Sequence, residues 1–248
     1  MSDPSHGALL RDGKSKKVFA VAGDDAHVIV HYKDDATAFN GVKHALIADK
    51  GAVNAALNWH LMKMVEVKTG MASHLVRKLS EREQLCRRVA IVPVEVVVRN
   101  IVAGSAAKRF GREEGELLPF PMVEFFLKSD ELGDPPMSDV HALAFGWAEQ
   151  WELEYFRFAA LKVNAALKDF WSDLGVDLVD FKLEFGRTPE GHLLLADEIT
   201  PDGCRLWEKG SRRKLDKDVF RRDLGDLSDT YREVYQRVFG EQFTGAVQ

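Results

Sequence analysis

The chain has 248 residues, 34 Lys+Arg against 39 Asp+Glu for a formal net charge of -5, and 46% hydrophobic residues. That length suits one large domain or two small ones, and the apolar content excludes a disordered chain. The acidic balance argues against a nucleic-acid partner, which selects a basic stripe. No run approaches the ~20 apolar residues of a membrane helix, and Met1 to Lys17 lacks the apolar stretch of a secretory signal. Cys86 and Cys204 match no metal or redox spacing, so a cytoplasmic location is expected.

In chain order, Lys16 to Val21 and His27 to Tyr32 are β-favouring runs joined by the turn Gly23-Asp24-Asp25. Val53, Ala56, Leu57, Leu61 and Met64 recur at helical spacing, predicting a helix from Gly51 to about Val67. Ile91 to Val98 reads as a buried strand. Ser105 to Phe110 reads as a short helix with Ser105 as N-cap and Gly111 as stop. Gly133 to Ser138 is expected as a loop. Phe156 to Leu174 is a long amphipathic helix ended by Gly175. Strands Leu178 to Phe185 and His192 to Ile199 follow, then a helical tail from Asp218 to Gln236 broken near Gly225. The expected division is a β-rich lobe over 1–92 and a mixed α/β lobe over 93–248.

Gly13-Lys14-Ser15 invites a P-loop reading, but Gly7 lies one residue too far from Gly13 and the following run is a strand, not a helix. What remains is a glycine turn with Lys14 and Lys16 on one face, able to clamp a polyphosphate or simply to protect an edge strand. In Val179 to Phe185, alternation places Asp180, Lys182 and Glu184 on the face opposite Val179, Phe181, Leu183 and Phe185. A hairpin with Leu193 to Glu198 brings Asp197 or Glu198 towards Glu184. Two carboxylates beside a lysine suit Mg²⁺ on nucleotide phosphates, or a surface salt-bridge ladder. Arg99, Ser105 at a helix start, and Arg205 on a turn are the residue types that hold a phosphate monoester.

Taken together, Gly13 to Lys16, Lys33 to Gly41, Pro93 to Asn100, Ala103 to Arg109, Val179 to Gly186, Asp197 to Trp207 and Leu215 to Arg221 resemble the SAICAR synthetase family of purine biosynthesis. The resemblance implies a two-lobed α+β fold, kinase-like and ATP-grasp-like, with antiparallel sheets and flanking helices. It implies an ATP- and Mg²⁺-dependent ligase joining L-aspartate to the carboxylate of carboxyaminoimidazole ribonucleotide (CAIR), through an acyl phosphate. By the same resemblance Lys14, Ser15, Lys16 and Lys182 face ATP, and Glu184 and Asp197 hold magnesium. Lys182, Glu184 and Asp197 are the expected catalytic set. Arg99, Ser105 and Arg205 hold the ribonucleotide phosphate, with Asp35, Thr37, Lys217 and Arg221 as further substrate residues. The expected partners are these small molecules and a second copy of the chain, a dimer being favoured. A small-molecule kinase and an inactive scaffold are the competing readings. The chain departs from the family at Asp49-Lys50-Gly51, where Gly-Lys-Gly is usual, in the apolar Ala45 to Ala48, and at Ile101-Val102-Ala103.

Overall fold

A computed structural model describes residues 4–38 and 41–245; Phe39 and Asn40, part of the early family-like stretch, lie outside the described residues. The first part of the chain builds β1 (His6–Asp12), β2 (Lys16–Val21), β3 (Asp24–Tyr32), the ribbon β4 (Asp35–Ala38) and β5 (Lys43–Leu46), helix α1 (Lys50–Thr69), β6 (Leu75–Lys78) and β7 (Glu83–Arg87). The rest builds β8 (Ala90–Ile101), α2 (Gly104–Phe110), β9 (Leu117–Leu127), β10 (Pro136–Met137), α3 (Asp139–Ala144) and α4 (Gln150–Asp173). It closes with β11 (Val176–Arg187), β12 (Leu193–Ala196), β13 (Cys204–Glu208), α5 (Asp218–Arg221) and α6 (Leu227–Phe239). Five strands in the order β1-β2-β3-β7-β6 form one antiparallel sheet, and β10-β9-β8-β11-β12 with β13 on β11 form a second.

Helix α4 covers one face of the second sheet. Leu153, Phe156, Ala160, Val163, Leu167 and Trp171 recur on one side of it and are buried, and Phe156 stacks on Phe185 of β11 at 4.7 Å. Its first turn is pinned by Glu152, which is buried and takes two bonds of 2.6 Å from Arg187. Helix α1 is buried almost all round because it packs against β3, α4 and α6 at once. Gly51 is required there: a Cβ would lie 2.4 Å from the Tyr32 carbonyl oxygen. One continuous apolar core includes Val28 and Val30 of the first sheet, Leu57 and Leu61 of α1, and Val96 and Leu183 of the second sheet.

The two sheets meet edge to edge. Residues 72–74 run beside β12, with Leu195 N donating to Ala72 O at 3.1 Å and His74 N donating to Leu195 O at 2.8 Å. The His74 carbonyl in turn accepts from Arg87 N of β7 at 2.7 Å.

Four expectations change. Arg205 lies on β13 rather than on a turn. Pro136–Met137 is a short strand on β9 within the expected loop. Lys14 sits in the turn rather than on the strand, so it and Lys16 do not share a strand face. Ser105 is not an N-cap. The helix starts at Gly104, whose φ of +53 and contact with Arg205 leave no room for a Cβ, and the Ser105 hydroxyl accepts from Arg99 instead. At Asp49 the departure from Gly-Lys-Gly falls on a left-handed residue with φ of 62, a conformation aspartate tolerates.

Candidate active site

Register decides which side chains meet. On β11, Glu184 pairs with Glu95 of β8 and with Ala196 of β12, while Lys182 pairs with Val97. Paired residues share a face, so Glu95, Lys182 and Glu184 stand together on the face away from α4. The facing surface of the first sheet carries Lys16, Val18, Val28 and Val30. Between them lies a cavity of about 650 Å³, lined by these residues with Lys14, Lys128, Asp197 and Glu198.

The charges within it are paired tightly. Lys182 Nζ contacts Glu95 at 3.0 Å, Asp197 Oδ2 at 3.3 Å and Glu184 Oε1 more closely still. Lys16 Nζ bonds Asp197 Oδ1 at 2.5 Å and Glu198 at 3.0 Å, and Lys128 bonds Glu184 Oε1 at 2.6 Å. Burial alone would push the two lysine ammoniums down, but the carboxylates outweigh it and raise both: Asp197 and Glu198 for Lys16; Glu184, Asp197 and Glu95 for Lys182. Burial would raise Asp197, yet Lys16, Lys182 and Lys128 hold its carboxyl well below the usual range. Glu95 is raised, chiefly by burial. His74, also lining the cavity, is pushed down to about 4 by burial and by the Lys16 charge. Lys14, at the turn, reaches Asp130 across the cavity mouth at 2.7 Å. Ser15 fixes the same turn, its carbonyl accepting from Lys33 N at 2.8 Å.

A second constellation lies farther along β8 and β11. Arg99 is buried with all three guanidinium nitrogens engaged: Nε on Glu124 at 2.6 Å, Nη1 on Asp180 at 2.9 Å and Nη2 on Ser105 Oγ at 3.2 Å. Arg205 donates to the same Asp180 at 2.9 Å and to Asp218 at 3.0 Å. Arg221 also bonds Asp218, at 2.6 Å. Asp180 and Asp218 therefore hold three arginines near one another.

Lys217 belongs to a third, buried group. Asp202 Oδ2 takes Lys50 Nζ at 2.6 Å and lies 3.7 Å from Lys217 Nζ, while Asp202 Oδ1 accepts from the Tyr231 hydroxyl at 2.5 Å. Burial lowers the Lys217 ammonium, with Lys50 and Arg221 adding to the effect. Asp35 and Thr37 are not among the cavity-lining residues. They lie on the β4–β5 ribbon, where Asp35 bonds His44 at 2.8 Å. The ribbon is tied to α5 by Lys43, which donates to the Phe220 carbonyl at 2.6 Å.

Sequence reasoning missed Glu95, Lys128, Glu124, Asp218 and Tyr231 as site neighbours. Glu95 carried a signal, since it breaks an otherwise apolar valine run at an alternate position. Lys128 and Glu124 carried none, because only pairing of β9 with β8 brings them in.

Comparison with known proteins gives a consistent result. The family model described as SAICAR synthetase matches residues 9–238. A phosphoribosylaminoimidazole-succinocarboxamide synthase from Chloroherpeton thalassium is 50% identical over 234 residues, 94% of this chain and 98% of that one. A SAICAR synthetase solved in complex with ADP superposes with a TM-score of 0.90 at 44% identity, covering 94% of this chain and 98% of that one. The phosphoribosylaminoimidazole-succinocarboxamide synthase of Ehrlichia chaffeensis superposes at 0.91 with 40% identity, covering 95% and 100%.

Proposed function

Because the chain belongs to the SAICAR synthetase family, we propose that its cavity and its arginine cluster divide the labour of that reaction. The protein is an ATP-dependent ligase that joins L-aspartate to the carboxylate of CAIR, giving SAICAR, ADP and phosphate in purine biosynthesis. A carboxylate resists attack because its charge repels nucleophiles and oxide is a hopeless leaving group. Transfer of the ATP γ-phosphoryl group to it makes an acyl phosphate, from which the aspartate amine displaces phosphate. This acyl phosphate is our reading of the path.

The cavity takes ATP. Val18, Val28 and Val30 offer an apolar wall for the base, and Lys14, Ser15, Lys16 and Lys182 offer donors for the phosphates. The observation that carries this assignment is the convergence of Glu184 and Asp197 on the single ammonium of Lys182. Both donors are carboxylate oxygens, the hard ligands that Mg²⁺ prefers, and one or two carboxylates completed by substrate phosphates suffice for such an ion. Glu184 and Asp197 would hold it, and when bound it supplies charge neutralisation on the transferring phosphoryl group. Lys182 and Lys16 exchange their carboxylate partners for phosphate oxygens as ATP enters, and stabilise the same charge.

The arginine cluster takes the ribonucleotide 5′-phosphate. Arg205 and Ser105 face it, and Arg99 lies behind them to hold the Ser105 hydroxyl and add positive potential. Lys217 and Arg221, at the two ends of α5, and Asp35 and Thr37 on the ribbon next to α5 complete the substrate side. The test mixes CAIR, L-aspartate, ATP and Mg²⁺ and follows product mass and ADP. ADP release that does not require aspartate would instead make the protein a kinase.

We read 1–92 and 93–248 as two lobes closing on the nucleotide and place the enzyme in the cytoplasm; Cys86 and Cys204 are both free thiols. No helix among the described residues is long and apolar enough to cross a membrane. A homodimer is proposed from the exposed apolar side chains Trp151, Phe158 and Leu161, which recur along one side of α4. Sedimentation equilibrium that returns a monomer at micromolar concentration would refute it.

A further inference from the structure

Arg205 lies near the start of β13, and the chain that follows it folds back along the same strand. Glu208 N donates to Arg213 O at 2.9 Å, and Leu215 N donates to Leu206 O at 2.8 Å. In a regular antiparallel pair Leu206 N would return a bond to the Leu215 carbonyl. It donates instead to the Asp216 side chain, 2.8 Å from Oδ2. The other oxygen, Oδ1, accepts from Asp218 N at 2.7 Å. Asp218 in turn accepts from Arg205 Nε at 3.0 Å. One carboxylate thus ties the strand residue next to Arg205 to the residue that holds the Arg205 guanidinium.

Asp216 is fully buried, and a second buried carboxylate, Asp218, stands two residues away. Burial and the Asp218 charge push its carboxyl up to about 7. As a loop closure alone this is a poor choice, because the Leu215 carbonyl could take the same N–H without burying a charge. What the carboxylate adds is a fixed separation between β13 and Asp218. Little slack exists there. Asp180 grips Arg205 Nη1 at 2.9 Å, and a Cβ on Gly104 would overlap the guanidinium. A displaced Asp218 would turn that guanidinium away from the start of α2.

We propose that Asp216 is a positioning residue, whose two oxygens lock β13 to the Asp218 amide and so aim Arg205 at the ribonucleotide phosphate. The inference rests on the reading of the arginine cluster as the phosphate site.

The test takes steady-state kinetics and thermal midpoints of Asp216→Asn, Arg205→Lys, their double variant and Glu152→Gln, all in the full chain. Asparagine keeps the shape but offers one acceptor oxygen where the carboxylate offers two. Asp216→Asn should raise KM for CAIR about 5-fold or more, the effect of one lost hydrogen bond. Its kcat and its KM for ATP should stay within about 2-fold. In the Arg205→Lys background the same change should add less than about 2-fold, because lysine has no planar fork to aim. Glu152→Gln weakens the buried tie between α4 and β11, and should lower the thermal midpoint without moving KM for CAIR. Fully additive effects in the double variant would overturn the proposal. So would an asparagine variant that keeps the normal KM for CAIR, whatever its stability, or one in which ATP and CAIR weaken together. An equal rise in KM for CAIR in Glu152→Gln would reduce the effect to general loosening and overturn it too. If Arg205→Lys leaves KM for CAIR unchanged, the phosphate assignment itself falls and the inference falls with it. Should Asp216→Asn not fold, Asp216→Ser, whose hydroxyl can keep the short bond to Asp218 N but not reach Leu206, supplies the same comparison.

Discussion

Lys182 touches three carboxylates, and Asp197 is touched by two lysines, so each of these two central charges is balanced by more than one partner. Removing one negative charge therefore leaves the fold intact but exposes the chemistry. Glu184→Gln and Asp197→Asn keep size and shape, and each should lower kcat by about 10²-fold or more. Steady-state rates at limiting Mg²⁺ check this; near-normal turnover in both would refute the metal assignment. At the other site Arg205 spends Nε on Asp218 and Nη1 on Asp180, a two-directional grip that needs a planar fork. Arg205→Lys should raise KM for CAIR ~10-fold or more, the loss expected for one charge-assisted hydrogen bond of roughly 1.5–3 kcal/mol. Because the 5′-phosphate is remote from the reacting carboxylate, kcat and the KM for ATP should move little. A variant that weakens ATP and spares CAIR would show the two anion pockets to be exchanged.

Among the elements, the turn between β12 and β13 has the most unusual support. Its Asp202 binds Lys50 at the start of α1 and Tyr231 on α6, all buried. Burial would raise this carboxyl, but Lys217 and Lys50 lower it well below its ordinary value. A depressed folded pKa gives stability that is complete above the unfolded value and is lost as pH falls through the folded one. Asp202→Asn leaves Lys50 buried without its counter-charge, at a cost of about 3–5 kcal/mol. The same variant should show a flatter decline in stability below about pH 4. Urea unfolding across pH in both proteins tests the pair, and parallel acid limbs would contradict it. None of this tie was visible in the chain order, since Lys50, Asp202 and Tyr231 are distant and each reads singly as a surface residue. What period and alternation did expose was local: the apolar stripe of α4, and the common face of Asp180, Lys182 and Glu184. Strand alternation fails at Asp197, where strict period two would have buried the carboxylate in the apolar layer. It was the turn, not the strand, that set its direction. The Ser105 cap was misread for a similar reason, because sequence does not reveal that Arg205 fills the space at Gly104 and Arg99 claims the hydroxyl.

Across the whole molecule, two sheets share one apolar core through α1 and α4. A chain with separate cores would unfold in stages, whereas this one should unfold in a single step. Far-ultraviolet dichroism and tryptophan emission should give coincident thermal transitions. Trp171 and Trp207 report on the second sheet and its helix, while dichroism samples both sheets. Two resolved transitions would show that the lobes are energetically independent.

On the proposed assignment of the cavity to ATP, the 72–74 ladder also bears on how a nucleotide enters. It binds β7 to β12 along one side of the cleft, so on that side the sheets are sewn like the spine of a book. At the fore-edge, the contacts between the opposite sheet margins include exposed ion pairs of Asp130 with Lys14 and Arg11, of the kind that is worth little and is screened by salt. Opening the pages there breaks no backbone bond of the ladder. On that assignment, nucleotide exchange needs only this margin to part, and the backbone ladder stays whole.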